Sequence, residues 1–102
     1  GFTSHFLNLF KNIDKKIKVL IIRMDRVPHI DQTGLYAMEE TLFDLNKKGL
    51  LVVIVGLQSQ PEDMLRSIDI IPDLIPEKQL FENMDIGLSW LKKELNKDMT
   101  TH

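Results

Sequence analysis

The chain is organised around residues 18–34, which read KVLIIRMDRVPHIDQTG. Its first apolar run, Val19 to Ile22, is β-branched at three of four positions, a composition typical of a strand covered on both faces, as in a parallel sheet. Pro28 has no N–H to donate to a neighbouring strand, and residues 31–34 then open a helical pattern. Open α/β sheets usually place function where a strand's carboxyl end leads into a helix. We therefore expect any functional site at this turn.

The sequence that follows predicts a βαβ unit. Apolar residues recur at helical spacing over about residues 33–48, and Lys47-Lys48-Gly49 is a stop signal. Cations are favoured at the negative end of a helix, and glycine readily adopts the left-handed cap. Residues 50–56, LLVVIVG, then predict a second buried strand. Two strands joined by a helix in this way should be adjacent and parallel.

Shorter patterns predict the remaining elements. An opening helix is indicated by an apolar stripe at Phe2, Phe6, Leu9, Phe10 and Ile13. Pro61 suits the first position of a short helix, and residues 79–81 predict a short third strand. Asn83 is expected to cap a last helix, whose apolar stripe is Met84, Gly87, Leu88, Leu91 and Leu95. Trp90 lies outside that stripe, and we expect it to cover the core rather than to contact a partner.

Composition bounds the class of protein. The 102 residues suffice for a single domain, 1–102, and the polar segment 96–102 predicts a disordered tail. A net charge of −2 argues against a nucleic-acid partner. The absence of cysteine excludes a disulfide framework and a thiol nucleophile, and it fits the cytoplasm. The three histidines are far apart in sequence, so we expect no metal site, and no serine lies in a nucleophile-elbow pattern.

Two interpretations compete at the turn Asp31-Gln32-Thr33-Gly34. In the first, Asp31 or Thr33 caps the helix, a contribution of about 0.5–2 kcal/mol, and Gly34 allows close backbone approach. In the second, Thr33 presents a hydroxyl at a helix N-terminus, where free N–H groups and the helix dipole favour phosphate. The residue chemistry alone favours capping.

The sequence resembles a STAS domain over about residues 17–95. The resemblance is carried by VPHIDQTGL at 27–35, KKG at 47–49 and GLQSQP at 56–61. Sulphate-type anion permeases and anti-sigma factor antagonists share this family, and the third motif is more similar to bacterial permease C-terminal domains. The implied fold is α/β, a small mostly parallel sheet flanked by about four helices. STAS domains normally begin with strands before the first helix, so we expect this chain to lack those N-terminal strands.

The resemblance implies a non-catalytic regulatory and protein-interaction domain of a SulP-type sulphate/anion permease. Such a domain lies on the cytoplasmic side of the inner membrane, its partner is the transmembrane portion of the same parent chain, and it needs no cofactor. The alternative is a soluble anti-sigma factor antagonist acting as a phospho-switch. A small α/β hydrolase or transferase is a third possibility that no motif supports.

The resemblance also assigns a role to the turn. Thr33 matches the phosphorylatable serine of the antagonists, and Asp31, Gln32 and Gly34 complete the turn. In antagonists another serine typically precedes the phosphorylatable one, whereas this chain has Gln32 there. The turn is the expected contact for another protein or a nucleotide, and an open sheet edge is the expected surface for a homodimer.

Overall fold

The computed structural model describes residues 18–100, with side chains described as far as Lys97. The helix expected over residues 2–13 lies outside the described residues. The described elements are β1 (Val19–Arg23), α1 (Gln32–Lys47), β2 (Leu51–Val55), α2 (Ser59–Ser67), a π-helical turn (Ile70–Leu74), a 3₁₀ turn (Glu77–Gln79), β3 (Leu80–Phe81) and α3 (Met84–Thr100).

The three strands form one parallel sheet in the order β1-β2-β3. Strands β1 and β2 pair along their full length, from Val19 opposite Leu51 to Arg23 opposite Val55. Strand β3 pairs only through its two residues, opposite Ile54 and Val55. The fold class, the adjacent parallel strands and the short third strand are therefore confirmed.

A buried side-chain amide continues the sheet where β3 is too short. Gln79, one residue before β3, donates from Nε2 to the carbonyl oxygen of Val52 at 2.7 Å. Gln79 is only 9% exposed, and an unpaired carbonyl beside it would carry a desolvation cost. The side chain thus supplies a hydrogen bond that a third residue of β3 would otherwise make.

Alternation along the strands divides the apolar residues between two faces of the sheet. The α1 face, which includes Ile22, Val52 and Ile54, packs against α1, α2 and the π-helical turn. The apolar residues that recur at helical spacing in α1 are buried there, namely Leu35, Met38, Leu42 and Leu45. The buried residues of this cluster are Ile22, Met24, Ile30, Leu35, Met38, Leu42, Leu45, Val52, Ile54, Leu65, Ile70, Ile71 and Ile75.

The α3 face, which includes Val53 and Val55, is covered in the described part of the chain by α3. Its buried cluster consists of these two valines and Leu91. Trp90 is half-buried and packs on Phe81, with ring centroids 5.5 Å apart. The expectation that Trp90 covers the core is confirmed.

The apolar stripe predicted for the last helix is partly wrong. Leu88 and Leu95 are 43% and 44% exposed. The helix approaches the sheet closely at Gly87, where an added Cβ would lie 3.1 Å from Cγ1 of Val55. This approach turns Gly87 and Leu91 towards the sheet, and the two exposed leucines are left on the flank of the helix.

Helix ends follow local chemistry, with one correction. Gly49, at a φ of +80°, ends α1 as expected, and Asn83 caps α3 by accepting from the Ile86 N–H at 3.0 Å. Pro61 is not the first residue of α2, which begins at Ser59. The first N–H groups of a helix have no intrahelical partner, so a proline at the third position removes no hydrogen bond. Helix α3 reaches Thr100, and the disorder expected for the tail stays a prediction.

Candidate functional site at the start of helix α1

The turn at residues 31–34 lies beyond the carboxyl end of β1, where the sequence predicts a site. The Met24 N–H donates to the Val55 carbonyl at 2.9 Å, which extends the pairing of β1 and β2 by one residue. The chain then reverses, with the Val27 N–H donating to the Met24 carbonyl at 3.1 Å. Ile30 is buried in the core, so the polar turn is anchored at its entry.

Asp31 is the cap of α1. Its Oδ1 accepts from the Gly34 N–H at 2.8 Å, and its carbonyl accepts from the Leu35 N–H at 2.9 Å. Its backbone is extended, at φ −87° and ψ 176°, as capping residues normally are. Of the two residues that the sequence offered as a cap, the structure thus selects Asp31.

Thr33 lies in the first turn of α1 with its side chain exposed. That side chain makes no hydrogen bond to the described part of the chain. Its neighbour Gln32 is also exposed and donates from Nε2 to the Tyr36 hydroxyl at 3.2 Å, whereas Gly34 is buried. Asp31 and Gly34 therefore form the cap of α1, whereas the Thr33 hydroxyl is left without a partner among the described residues.

A pair of glutamines at the start of α2 holds this turn, and sequence reasoning missed it. The Gln60 side chain accepts from the Ile30 N–H at 2.8 Å and donates to the Ile30 carbonyl at 3.0 Å. Gln58 donates to the Asp25 carbonyl at 2.8 Å. Both glutamines belong to the motif GLQSQP. The carboxyl ends of adjacent parallel strands meet at one edge of a sheet. Because VPHIDQTGL follows β1 and GLQSQP follows β2, the predicted βαβ unit could have indicated that these two motifs lie in contact.

Gly56 allows that approach. Its φ is +72°, and an added Cβ would lie 2.7 Å from the Cβ of Asp25. Any other residue would face both a disfavoured backbone conformation and a collision. The loop after β1 and the loop after β2 are therefore packed against each other at a position that requires glycine.

The part of this sheet edge beside β2 and β3 is acidic. A depression of about 460 Å³ beside β2 and β3 is lined by Glu62, Glu77 and Glu82. Arg66 lies between the first two, with Nε 3.0 Å from Glu62 and Nη1 2.6 Å from Glu77. The hydrogen bond from Arg66 lowers the pKa of Glu77, and the two carboxylates raise the pKa of Arg66. Three carboxylates around one engaged guanidinium make this depression unsuited to the phosphates of a nucleotide. The protein or nucleotide contact expected at residues 31–34 stays a prediction.

Metal and nucleophilic chemistry find no support at this edge. Among the described residues, no group of three histidine, aspartate or glutamate side chains could hold a metal ion. His29 is exposed in the loop before the turn. What the arrangement offers chemically is an exposed hydroxyl on a helix N-terminus.

Comparison with known proteins identifies the fold family. Residues 4–85 match the sequence model of the STAS domain. The chain belongs to the STAS domain family. STAS domains of transporters and of anti-sigma antagonists are generally non-enzymatic.

Two solved structures are similar to this STAS domain over nearly its whole length. One is a sulfate transporter family protein from Wolinella succinogenes, with a TM-score of 0.80 and 28% identity over 92% of this chain and 76% of that one. The other is a SulP transporter STAS domain from Vibrio cholerae, with a TM-score of 0.77 and 26% identity over 93% of this chain and 73% of that one. Comparison with curated proteins gives no match. Within residues 18–100, no helix has the length and apolar character needed to cross a bilayer.

Proposed function

We propose that this STAS domain is the cytoplasmic regulatory and protein-interaction domain of a SulP-type sulphate or anion permease. In this role it catalyses no reaction. It acts on the transmembrane portion of the same parent chain, at the inner face of the membrane. The observation that carries the proposal is the likeness, over more than nine-tenths of the chain, to a sulfate transporter family protein and to a SulP transporter STAS domain.

The geometry of the turn supports a regulatory use of Thr33. Because Asp31 caps α1, the Thr33 hydroxyl is free to accept a phosphoryl group without loss of a structural bond. A phosphate would add about −1.5 to −2 charges there. The positive end of the helix dipole would accommodate this charge, whereas the neighbouring Asp31 would oppose it. The fold would therefore survive, and the effect would fall on a partner that contacts the turn.

The first experiment asks whether the parent protein is a transporter. The full gene is read for apolar spans upstream of Gly1, and anion uptake into proteoliposomes is measured with and without this domain. We expect spans, and uptake that depends on the domain. A parent gene without spans would instead assign the domain to the soluble antagonists.

The second experiment tests Thr33 in the full-length parent. Thr33→Glu should change uptake by about fivefold or more, the range of a typical coupling free energy between sites. Ser89→Glu, at an exposed position of α3 on the other side of the sheet, is the matched control and should leave uptake unchanged. Equal uptake in both variants and the wild type would leave the turn with a capping role alone.

A further inference from the structure

A cleft on the outer side of α1 has an aromatic wall and an acidic rim. The cleft lies between the carboxyl-terminal half of α1 and residues 68–74, and its volume is about 400 Å³. Phe43 forms one wall and is 53% exposed, with the Lys47 ammonium over its ring at 5.2 Å from the centroid. Ile68 and Leu74 add apolar surface. An exposed phenylalanine in a concave site is a typical anchor point for a partner.

Four carboxylates line the same cleft, namely Glu39, Glu40, Asp69 and Asp73. None of them forms an ion pair with the described residues. They also do not converge on one point, because no three described carboxylates could hold a metal ion together. The negative charge is therefore spread along the cleft, which suits an elongated cationic ligand better than a single ion.

The cleft is held in place by the fold. The Asn46 side chain of α1 donates to the Leu74 carbonyl at 3.1 Å, which joins the two walls. Within the π-helical turn, the Asp73 N–H donates to the Asp69 carbonyl at 3.1 Å, and Ile70 and Ile71 are buried beneath it. A preorganised surface loses little conformational entropy when a partner binds.

We infer that this cleft docks a lysine- or arginine-bearing segment of the parent's transmembrane portion, with an apolar side chain against Phe43. This inference rests on the proposed function. Cytoplasmic loops of membrane proteins carry an excess of lysine and arginine, so their charge complements the rim. The cytoplasmic leaflet is itself negative, so the acidic cleft is repelled from lipid and favours the basic loops.

Carboxylate footprinting tests the placement. The full-length parent in proteoliposomes and the 102-residue chain are each labelled with a carbodiimide and an amine, and the labelled sites are quantified by mass spectrometry. We expect the four cleft carboxylates, Glu39, Glu40, Asp69 and Asp73, to be labelled several-fold less in the parent. The exposed carboxylates Asp63 and Asp85 lie outside the cleft and should be labelled equally in both samples.

Three outcomes would overturn the inference. Equal labelling of Glu40 and Asp73 in both samples would do so while leaving the proposed function intact. Protection of the 102-residue chain by vesicles of phosphatidylethanolamine and phosphatidylglycerol alone would assign the cleft to lipid. A parent gene without transmembrane spans would overturn the proposed function and this inference together.

Charge reversal provides the functional measurement. Glu40→Lys combined with Asp73→Lys should change uptake by the full-length parent by about fivefold or more and should remove the difference in labelling at Glu39 and Asp69. Asp63→Lys combined with Asp85→Lys makes the same change in net charge outside the cleft and should do neither. Wild-type uptake and labelling in the cleft variant would contradict the inference.

Discussion

Within residues 18–100, the two faces of the sheet are covered very differently. On the α1 face, two helices and the π-helical turn bury thirteen residues around Ile54 and Leu42. On the α3 face, the buried cluster within the described residues is Val53, Val55 and Leu91. The described residues of this face also line a groove of about 540 Å³ between α3 and the start of β1.

The comparison shows where this STAS domain combines stability with function. The turn at residues 31–34 and the acidic cleft are both built on α1, whose inner side contacts the extensive core. Exposed residues of α1 are thus presented on a rigid support, which preserves their geometry. Among the described residues, the α3 face contributes fewer buried contacts, and substitutions there should affect stability less.

The largest expected effect comes from removing a core leucine on each face. Leu42→Ala should lower the free energy of unfolding by about 4 kcal/mol, because the side chain is fully buried in a closely packed cluster. Leu91→Ala should cost about 2 kcal/mol, since the neighbouring groove gives the site room to relax. Urea denaturation of the two variants measures the difference. An equal or larger loss for Leu91→Ala would remove the distinction between the faces.

The close approach of α3 to the sheet provides the second test. Gly87→Val should destabilise the domain by about 1–3 kcal/mol, because its Cβ would already lie 3.1 Å from Val55 and the added methyl groups need more space. The measurement is again urea denaturation, with Ser89→Val as the control at an exposed position of the same helix. Equal stability of the two variants would show that α3 can move away freely.

The two residues offered as caps for α1 should behave differently. Asp31→Ala should lower the free energy of unfolding by about 1 kcal/mol, because Gly34 loses its hydrogen-bond acceptor. Thr33→Ala should cost only a few tenths, about 0.3 kcal/mol, as is usual for exposed residues without special contacts. Thermal and urea unfolding of the two variants measure which one loses more free energy of unfolding. A larger loss for Thr33→Ala would mean that the hydroxyl is structural and would remove its availability as a switch.

The smallest effect concerns pH. The bond from Arg66 lowers the pKa of Glu77 in the folded state from its ordinary value of 4.5. The stability this carboxylate provides is present above that ordinary value and is lost as the pH falls through the lower folded pKa. Glu77→Gln should therefore lose less stability than the wild type on acidification below pH 4.5. The midpoint of urea unfolding, followed across a pH series, measures this difference. If the wild type and Glu77→Gln lose stability equally on acidification, the Arg66–Glu77 ion pair makes no contribution.

Periodicity and end signals were enough to predict the sheet. Two apolar runs, Val19 to Ile22 and residues 50–56, predicted the buried strands. The end of the helix between them was predicted by Lys47-Lys48-Gly49. The short strand β3 followed from an apolar pair, although pairing through only two residues leaves a weak pattern. Local sequence was sufficient here because each element's burial follows from its own spacing.

The position of the candidate site could be predicted from the sequence, but the roles and contacts of its residues could not. Asp31 and Thr33 are both good capping residues, and only the backbone geometry decides between them. The bonds from Gln60 to Ile30 join residues thirty positions apart, so no local pattern reports them. The exposure of Leu88 depends on how closely α3 approaches the sheet, which is a property of the packed structure.

The amide of Gln79 has a consequence for self-assembly. Strand β3 offers only two residues to a neighbour, and the Val52 carbonyl next to it already accepts from Gln79. An incoming strand would find too short a template there, a common protection against edge-to-edge aggregation. Among the described strands, β1 remains as the longer edge, with five residues. Of these described edges, β1 therefore offers an added strand the longer template, and β3 disfavours growth from its side of the sheet.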